Sequence, residues 1–406
     1  KKDFTMNFIY KSFCRTFQFC FRIAMPFLPY RKPTIFTNVK ECVPLFQRLN
    51  IKSVLLVTDQ GIRSAGITKP LEEYLEENQI KCIVYDSTRA NPTVQNVEES
   101  KSLYIQNNCQ GLIAFGGGSS MDCAKATGAL IAYPKKNLAK LKGLLKVWKK
   151  LPPLVAIPTT AGTGSEVTVT AVITDSEKKH KYTMNNFTMI PYYAVLDPQV
   201  TYSLPPSLTA TTGMDALTHA VEAYIGQSTT KETRKLALQA TKLIFKNILV
   251  AYEDGTNQQA RANMLKAAYK AGIAFSKSYV GYIHAVAHSL GGQYNIPHGL
   301  ANSVLMPIVL EKYGKSVYKK LSELAVAAEL CTEKTSIEEA AKIFIEEIKK
   351  MNKKMNIPEK LQGIKEEDIK VMAQHADKEA NPLYPVPKLM NAKELEQLYK
   401  LVAQDF

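Results

Sequence analysis

The chain has 406 residues, enough for two domains that each bury a core of their own. It is 46% hydrophobic and 22% charged, the make-up of a soluble globular protein. The 52 Lys and Arg against 37 Asp and Glu leave a net charge of +15. The basic residues are spread, as in KKNLAKLKGLLKVWKK (135–150), without an aromatic-interleaved RNA-binding motif or zinc-finger spacing, so no nucleic-acid partner is expected. Cys14, Cys20, Cys42, Cys82, Cys109, Cys123 and Cys331 are odd in number and form no CxxC, which predicts a reducing, cytoplasmic location. No apolar run reaches the ~18 residues that a spanning helix needs.

Residues 8–30, FIYKSFCRTFQFCFRIAMPFLPY, mix Phe and Tyr with Lys11, Arg15 and Arg22 and have the composition of an interfacial amphipathic helix. Packing on the body of the protein or on a second subunit is expected in preference to attachment to a membrane or a shell. Charges interrupt the apolar stretch, which argues against a cleaved signal.

Next come short apolar runs, SVLLVTD (53–59), KCIVYD (81–86), GLIAFGGG (111–118) and PLVAIPTT (153–160), each ending in Gly, Asp or Thr. Helical patterns such as 92–108 lie between them, which predicts βαβ units and a mostly parallel sheet. The third run leads into Gly116-Gly117-Gly118-Ser119-Ser120 and then a helix. Glycines let a ligand approach the backbone, and N–H groups at a helix start attract phosphate, although many such turns carry glycine for geometry only. The fourth run ends in Pro158-Thr159-Thr160-Ala161-Gly162-Thr163-Gly164-Ser165, and both ends fall where open α/β sheets bind ligands. Asp59, closing the first run, is placed either to accept from a ribose hydroxyl or to cap the helix that follows. Its carboxylate would repel a 2′-phosphate, so NAD is expected over NADP.

Past the SLPPSL stretch (203–208) the strand signals stop and helical patterns take over, at 207–226, 230–253, 257–275, 299–330, 336–352, 366–378 and 392–403. The expected division is a 1–30 aromatic and basic segment, a 31–205 α/β domain and a 206–406 helical domain. Of six histidines, His219, His284, His288 and His298 fall between Thr211 and Ser303. Asp215 and His219 are one helical turn apart, His284 and His288 repeat that spacing, and His298 follows in a Pro-His-Gly turn. A lone pair of this kind is commonly a helix-surface contact. The concentration of these groups in a His-poor chain instead suggests a divalent transition metal, with either member of the His284/His288 pair able to bind it.

GGGSSMDCAKA (116–126), AIPTTAGTGSEVT (156–168), TGMDALTHAVEAY (212–224) and GYIHAVAHSLGGQYNIPHGLAN (281–302) resemble the iron-dependent, group III alcohol dehydrogenases. The resemblance covers roughly residues 31–406. It implies a Rossmann-like α/β domain plus an all-α domain in a dehydroquinate-synthase-like architecture. It also implies Asp215, His219, His284 and His298 as ligands of the metal, His288 as a non-ligand histidine near the substrate, and Phe275 as a lining aromatic. For the dinucleotide it implies Asp59 at the adenosine ribose and Gly118, Ser119 and Asp122, with Gly117 of the glycine turn, at the pyrophosphate or nicotinamide side. Asn91, Thr159, Thr160, Thr168, Lys181 and Val200 are implied as lining residues.

The expected activity is NAD(H)-linked interconversion of a small primary alcohol or diol and its aldehyde, by a homodimer or higher homo-oligomer. Ligand softness suits Fe2+ and Zn2+ alike, and the resemblance tilts to iron. Two other readings share parts of the pattern. A dehydroquinate-synthase-like lyase also joins metal to NAD, but it needs a basic cluster for a phosphate-bearing substrate, and the helices here show mostly Ala, Phe, Tyr and Gly. A metal-dependent hydrolase has no use for the GGGS and PTTAGTGS turns. The pocket is expected to draw on Phe275, Tyr279 and NPLYPVPKL (381–389).

Overall fold

The structure, a computed structural model, describes residues 6–176 and 180–404, so the first five residues of the expected N-terminal segment lie outside the described residues. The chain divides into two compact units. One comprises 29–204 and 255–265; the other comprises 1–28, 205–254 and 266–406.

The α/β unit is built on a six-stranded, wholly parallel sheet of order β1-β9-β6-β4-β2-β3. Its strands are β1 (Thr34–Phe36), β2 (Ser53–Val57), β3 (Lys81–Tyr85), β4 (Gly111–Gly116), β6 (Leu154–Pro158) and β9 (Tyr193–Val195). The central strands read as continuous apolar runs because both faces of the sheet are covered. Leu55, Val57, Leu112, Ala114, Leu154 and Ala156 belong to one core cluster with Val97 of α5 (Val94–Gln106) and Met121 of α6 (Gly118–Ala132). The residues that alternate with them, Val54, Leu56, Ile113, Phe115, Val155 and Ile157, belong to a second cluster. That cluster includes Phe46 of α2 (Cys42–Arg48) and Leu71 of α4 (Lys69–Glu77). Between β2 and α4 lies the short α3 (Gln60–Ser64). A separate three-stranded sheet of order β5-β8-β7 joins β5 (Gly143–Leu144), β7 (Thr170–Asp175) and β8 (His180–Asn185), with β7 and β8 antiparallel.

A buried cation ties α6 to this small sheet. The Lys125 ammonium has no exposed surface and donates to Ser165 Oγ at 2.9 Å, to the Thr168 carbonyl at 3.1 Å and hydroxyl at 3.0 Å, and to the Thr170 carbonyl at 2.9 Å. Asp122, one turn earlier, accepts from Ser165 Oγ at 2.9 Å and from the Val172 N–H at 3.0 Å. Burial pulls Lys125 down to about 8, while Asp122 and Glu166 oppose that shift.

The helical unit contains α1 (Phe8–Ala24), α7 (Pro206–Ile225), α8 (Lys231–Glu253), most of α9 (Gln258–Ser278), α10 (Tyr282–Tyr294), α11 (His298–Tyr313), α12 (Tyr318–Ala327), α13 (Ile337–Lys354), α14 (Glu366–Ala380) and α15 (Ala392–Val402). The pattern read as one helical stretch over 299–330 is broken at Gly314, whose φ of 55° ends α11. Buried from Gly213 to Ile225, α7 packs against α8 and α11. Gly299 lets α11 come close to it: a Cβ there would lie 2.5 Å from the Thr211 carbonyl oxygen. No helix among the described residues is long and apolar enough to cross a membrane.

Lys125→Met should lower stability by about 3 kcal/mol, because it leaves Asp122 and several buried acceptors without their cation. Urea unfolding followed by circular dichroism checks this, and a loss under about 1 kcal/mol would show the network to be dispensable.

Candidate active site

Within the helical unit, α7, α10 and α11 bring together the histidines that the sequence clusters. Asp215 Oδ1 lies 3.4 Å from His298 Nε2 and 3.8 Å from His284 Nε2, and Asp215 Oδ2 lies 3.9 Å from His219 Nδ1. Asp215, His284 and His298 each offer a ligand atom within 4.8 Å of the others. His219 borders this trio, its ring stacked on His284 at 4.5 Å and on Phe275 at 4.1 Å.

Two residues outside the sequence expectations orient the cluster. Glu222, on the same helix as Asp215 and His219, accepts from the Gly281 N–H at 2.7 Å, the Ile283 N–H at 2.8 Å and His284 Nδ1 at 2.6 Å. Burial lifts its carboxyl to about 7, against these hydrogen bonds. Burial also holds the His284 imidazole well below its ordinary range, and the neighbouring His219, His298 and His288 add to the effect. A neutral His284 that donates through Nδ1 turns the Nε2 lone pair toward Asp215. That nitrogen is buried and makes no hydrogen bond. Asn302 Nδ2 donates to Asp215 Oδ1 at 2.7 Å and stands 3.1 Å from His298 Nε2, so the second nitrogen also faces the carboxylate as an acceptor. The Asn302 amide bridges one carboxylate oxygen and His298, but nothing donates to His284 Nε2, and a carboxylate with imidazole nitrogens gathered this closely is a ligand set that suits a divalent transition metal. Glu222 lies seven residues after Asp215 and three after His219, a spacing that marks it in the sequence as sharing their helix face.

His288 faces elsewhere. Its Nδ1 lies 2.7 Å from Glu379 Oε1, its ring stacks on His298 at 5.1 Å, and 42% of its side chain is exposed. The same Glu379 oxygen accepts from the Tyr384 hydroxyl at 2.8 Å. No local spacing points to Glu379, which is 91 residues away from His288.

In the α/β unit, the dinucleotide candidates gather around the start of α6. Gly117 caps that helix without a side-chain bond, and a Cβ on Gly118 would lie 2.8 Å from Thr163 Cγ2. The Asn91 N–H donates to Ser119 Oγ at 3.3 Å, and Lys181 Nζ to Asn91 Oδ1 at 2.9 Å. The Thr160 side chain stands 3.5 Å from where a Cβ on Gly117 would be, and the Thr159 N–H donates to the Gly116 carbonyl at 3.1 Å. Asp59 follows β2 and caps α3 through the Ile62 N–H at 3.0 Å. Three candidates have internal partners: both Asp122 oxygens are hydrogen-bonded within the unit, Thr168 is bound to Lys125, and Val200 is buried in a core cluster.

This architecture has known counterparts. Residues 34–198 match the family model of iron-containing alcohol dehydrogenase, and 209–403 match that of the C-terminal part of the Fe-containing alcohol dehydrogenase family. Alcohol dehydrogenase 4 of Saccharomyces cerevisiae is 37% identical over 345 residues, 83% of this chain and 88% of that protein. NAD-dependent methanol dehydrogenase of Bacillus methanolicus is 37% identical over 343 residues, 83% of this chain and 89% of that protein. A crystal structure of 1,3-propanediol oxidoreductase superposes with a TM-score of 0.88 at 35% identity, covering 92% of this chain and 99% of that one. A parallel α/β domain followed by a helical domain bearing the histidine cluster, matched along nearly the whole chain, makes this protein a member of the iron-containing alcohol dehydrogenase family.

Proposed function

We infer that the protein is a metal-dependent, NAD(H)-linked oxidoreductase that interconverts a small primary alcohol or diol and its aldehyde by hydride transfer. The observation that carries this reading is the buried His284 Nε2, which makes no hydrogen bond and faces Asp215 Oδ1 at 3.8 Å, beside His298 Nε2 at 3.4 Å from the same oxygen. In the proposal Asp215, His219, His284 and His298 hold Fe2+, or Zn2+. When bound, such an ion supplies Lewis acidity that polarises the alcohol or carbonyl oxygen.

The chain's own residues do the rest. Glu222 holds His284 in the tautomer that presents Nε2, and Phe275 keeps His219 in a fixed plane. His288, partly exposed and fixed through Nδ1 by Glu379, passes the alcohol proton toward solvent. In the α/β unit, the N–H groups at the start of α6, with Gly117, Gly118 and Ser119, receive the pyrophosphate. Asn91, Thr159, Thr160 and Lys181 line the dinucleotide, and Asp122, Thr168 and Val200 shape its support from within. Asp59 meets the adenosine ribose with the oxygen that does not cap α3. The reading includes a homo-oligomer, which the exposed Phe8, Phe13 and Phe19 of α1 support, and a cytoplasmic location, which the seven free cysteines support.

Alcohol-dependent formation of NADH at 340 nm, with elemental analysis of the same sample, tests the whole reading; a screen of C2 to C6 alcohols and diols then defines the substrate. Protein that carries stoichiometric iron or zinc yet reduces no NAD+ with any of them would overturn it.

His284→Ala and His298→Ala should strip the metal and abolish turnover, since the ligands that remain hold a divalent ion weakly. His288→Gln should keep its metal while kcat falls roughly 10- to 10⁴-fold and its pH profile flattens. Metal content decides between them: a His288→Gln protein without metal beside a loaded His284→Ala would reverse the roles. Glu222→Gln should weaken metal affinity by about 10- to 100-fold, read by competition with a chelator.

NAD should be preferred over NADP by at least about tenfold in kcat/KM, equivalent to about 1.4 kcal/mol, because the Asp59 carboxylate opposes a 2′-phosphate. Asp59→Gly should narrow the gap. Equal use of both cofactors by the unaltered protein would remove Asp59 from the site.

A further inference from the structure

The 382–387 stretch, Pro-Leu-Tyr-Pro-Val-Pro, has three prolines in six residues. Each proline removes a backbone N–H, so the segment has few donors of its own: the Val386 N–H reaches the Tyr384 carbonyl at 2.8 Å, and further donors to its carbonyls come from elsewhere. The N-terminal helix α1 supplies most of them. Arg15 Nη1 donates to the Val386 carbonyl at 2.7 Å and Nη2 to the Pro387 carbonyl at 2.9 Å. Gln18 Nε2 donates to the Tyr384 carbonyl at 2.7 Å and the Pro382 carbonyl at 3.2 Å, and Gln18 Oε1 accepts from Arg15 at 2.7 Å. The Pro385 carbonyl is taken by the Gln227 N–H at 2.6 Å.

These contacts are costly to build unless they hold something. Gln18 is only 3% exposed, although an aromatic-rich helix has ample apolar side chains for a buried face. Instead, α1 turns Phe8, Phe13 and Phe19 outward and directs its amide and guanidinium at the proline segment. Beyond that segment the chain of contacts continues to the histidine cluster. The Tyr384 hydroxyl donates to Glu379 Oε1, and the same oxygen lies 2.7 Å from His288 Nδ1. A second support runs alongside: Phe21 of α1 meets the Tyr279 ring edge-on at 5.0 Å, and Tyr279 lies 6.3 Å from the Tyr384 ring.

We propose that α1 is a positioning element of the catalytic unit, in which Arg15 and Gln18 fix the 382–387 segment so that Tyr384 and Glu379 hold the His288 ring in its working orientation. This rests on the role given to His288 above. Arg15 and Gln18 bind neither substrate nor metal; they act through the segment that they hold.

The test uses the full-length, metal-loaded protein and compares Arg15→Met, Gln18→Leu, Tyr384→Phe and the double variant Arg15→Met/Tyr384→Phe, with the exposed Thr16→Ala as control. Metal content and NADH affinity should stay within about twofold of the unaltered protein, since neither site is touched. Amide exchange at Leu383, Tyr384, Val386 and Lys388 should quicken at least about tenfold in Arg15→Met and Gln18→Leu, while that of α7 stays unchanged. kcat/KM for the alcohol should fall roughly 10- to 100-fold in each single variant, and the double variant should be no worse than the worse single one, as for residues acting along one chain of contacts. Arg15→Lys, which keeps one donor, should recover part of the loss. If Arg15→Met does not fold, the cycle of Gln18→Leu with Tyr384→Phe decides in its place. Faster exchange with an unchanged kcat/KM, or losses that multiply in the double variant, would overturn the proposal. Exchange is read without turnover: an unaltered protein that oxidises no alcohol counts against the function, whereas Arg15→Met with unaltered exchange at 382–387 counts against the role of α1.

Discussion

A carboxylate buried on α7 governs the helical unit. Glu222 takes the N–H groups of Gly281 and Ile283 at the start of α10 together with His284 Nδ1. The first N–H groups of a helix have no intrahelical acceptor, so this side chain does for α10 what a local cap does for other helices. It also places negative charge at the positive end of that helix. The same three bonds make burial of the carboxylate tolerable and set the tautomer of His284. Helix docking and presentation of the His284 lone pair are thus one interaction, and neither can be relaxed without the other.

The α/β unit repeats this solution with the opposite sign. Lys125 is buried in α6 and takes four acceptors from the stretch 165–170, while Asp122 on the same helix holds Ser165 and β7. Each unit sets one fully hydrogen-bonded charge beneath its candidate site. Such a charge orders irregular backbone that apolar packing alone would leave free to shift, because its hydrogen bonds fix direction as well as distance.

The two ends of the helical unit's sequence meet on the same logic. A segment with three prolines is starved of donors, and α1 answers with an arginine and a glutamine turned inward. From composition, the aromatic residues of 8–30 look like its packing face. In the structure, however, several of them are exposed, while Arg15 and Gln18 supply hydrogen-bond donors to the 382–387 segment.

The sequence by itself determined the local periodicities and, with them, the class of fold. Both faces of β2, β4 and β6 are covered, so their apolar runs are continuous and easy to read. Asp215 and His219 share a helix face because 3.6 residues make a turn. The antiparallel pair β7 and β8, half-exposed and polar in TAVITD and HKYTMN, gave no such signal, and the break at Gly314 inside 299–330 was hidden in a continuous apolar pattern. His284 and His288 are also one turn apart, and spacing assigns them the same role. Only the tertiary structure separated them: Glu222 of α7 faces one and Glu379 of α14 the other, and these partners come from segments 62 and 91 residues away. A helical repeat states which side chains share a face; which distant charge that face meets is a property of packing, and no local spacing encodes it.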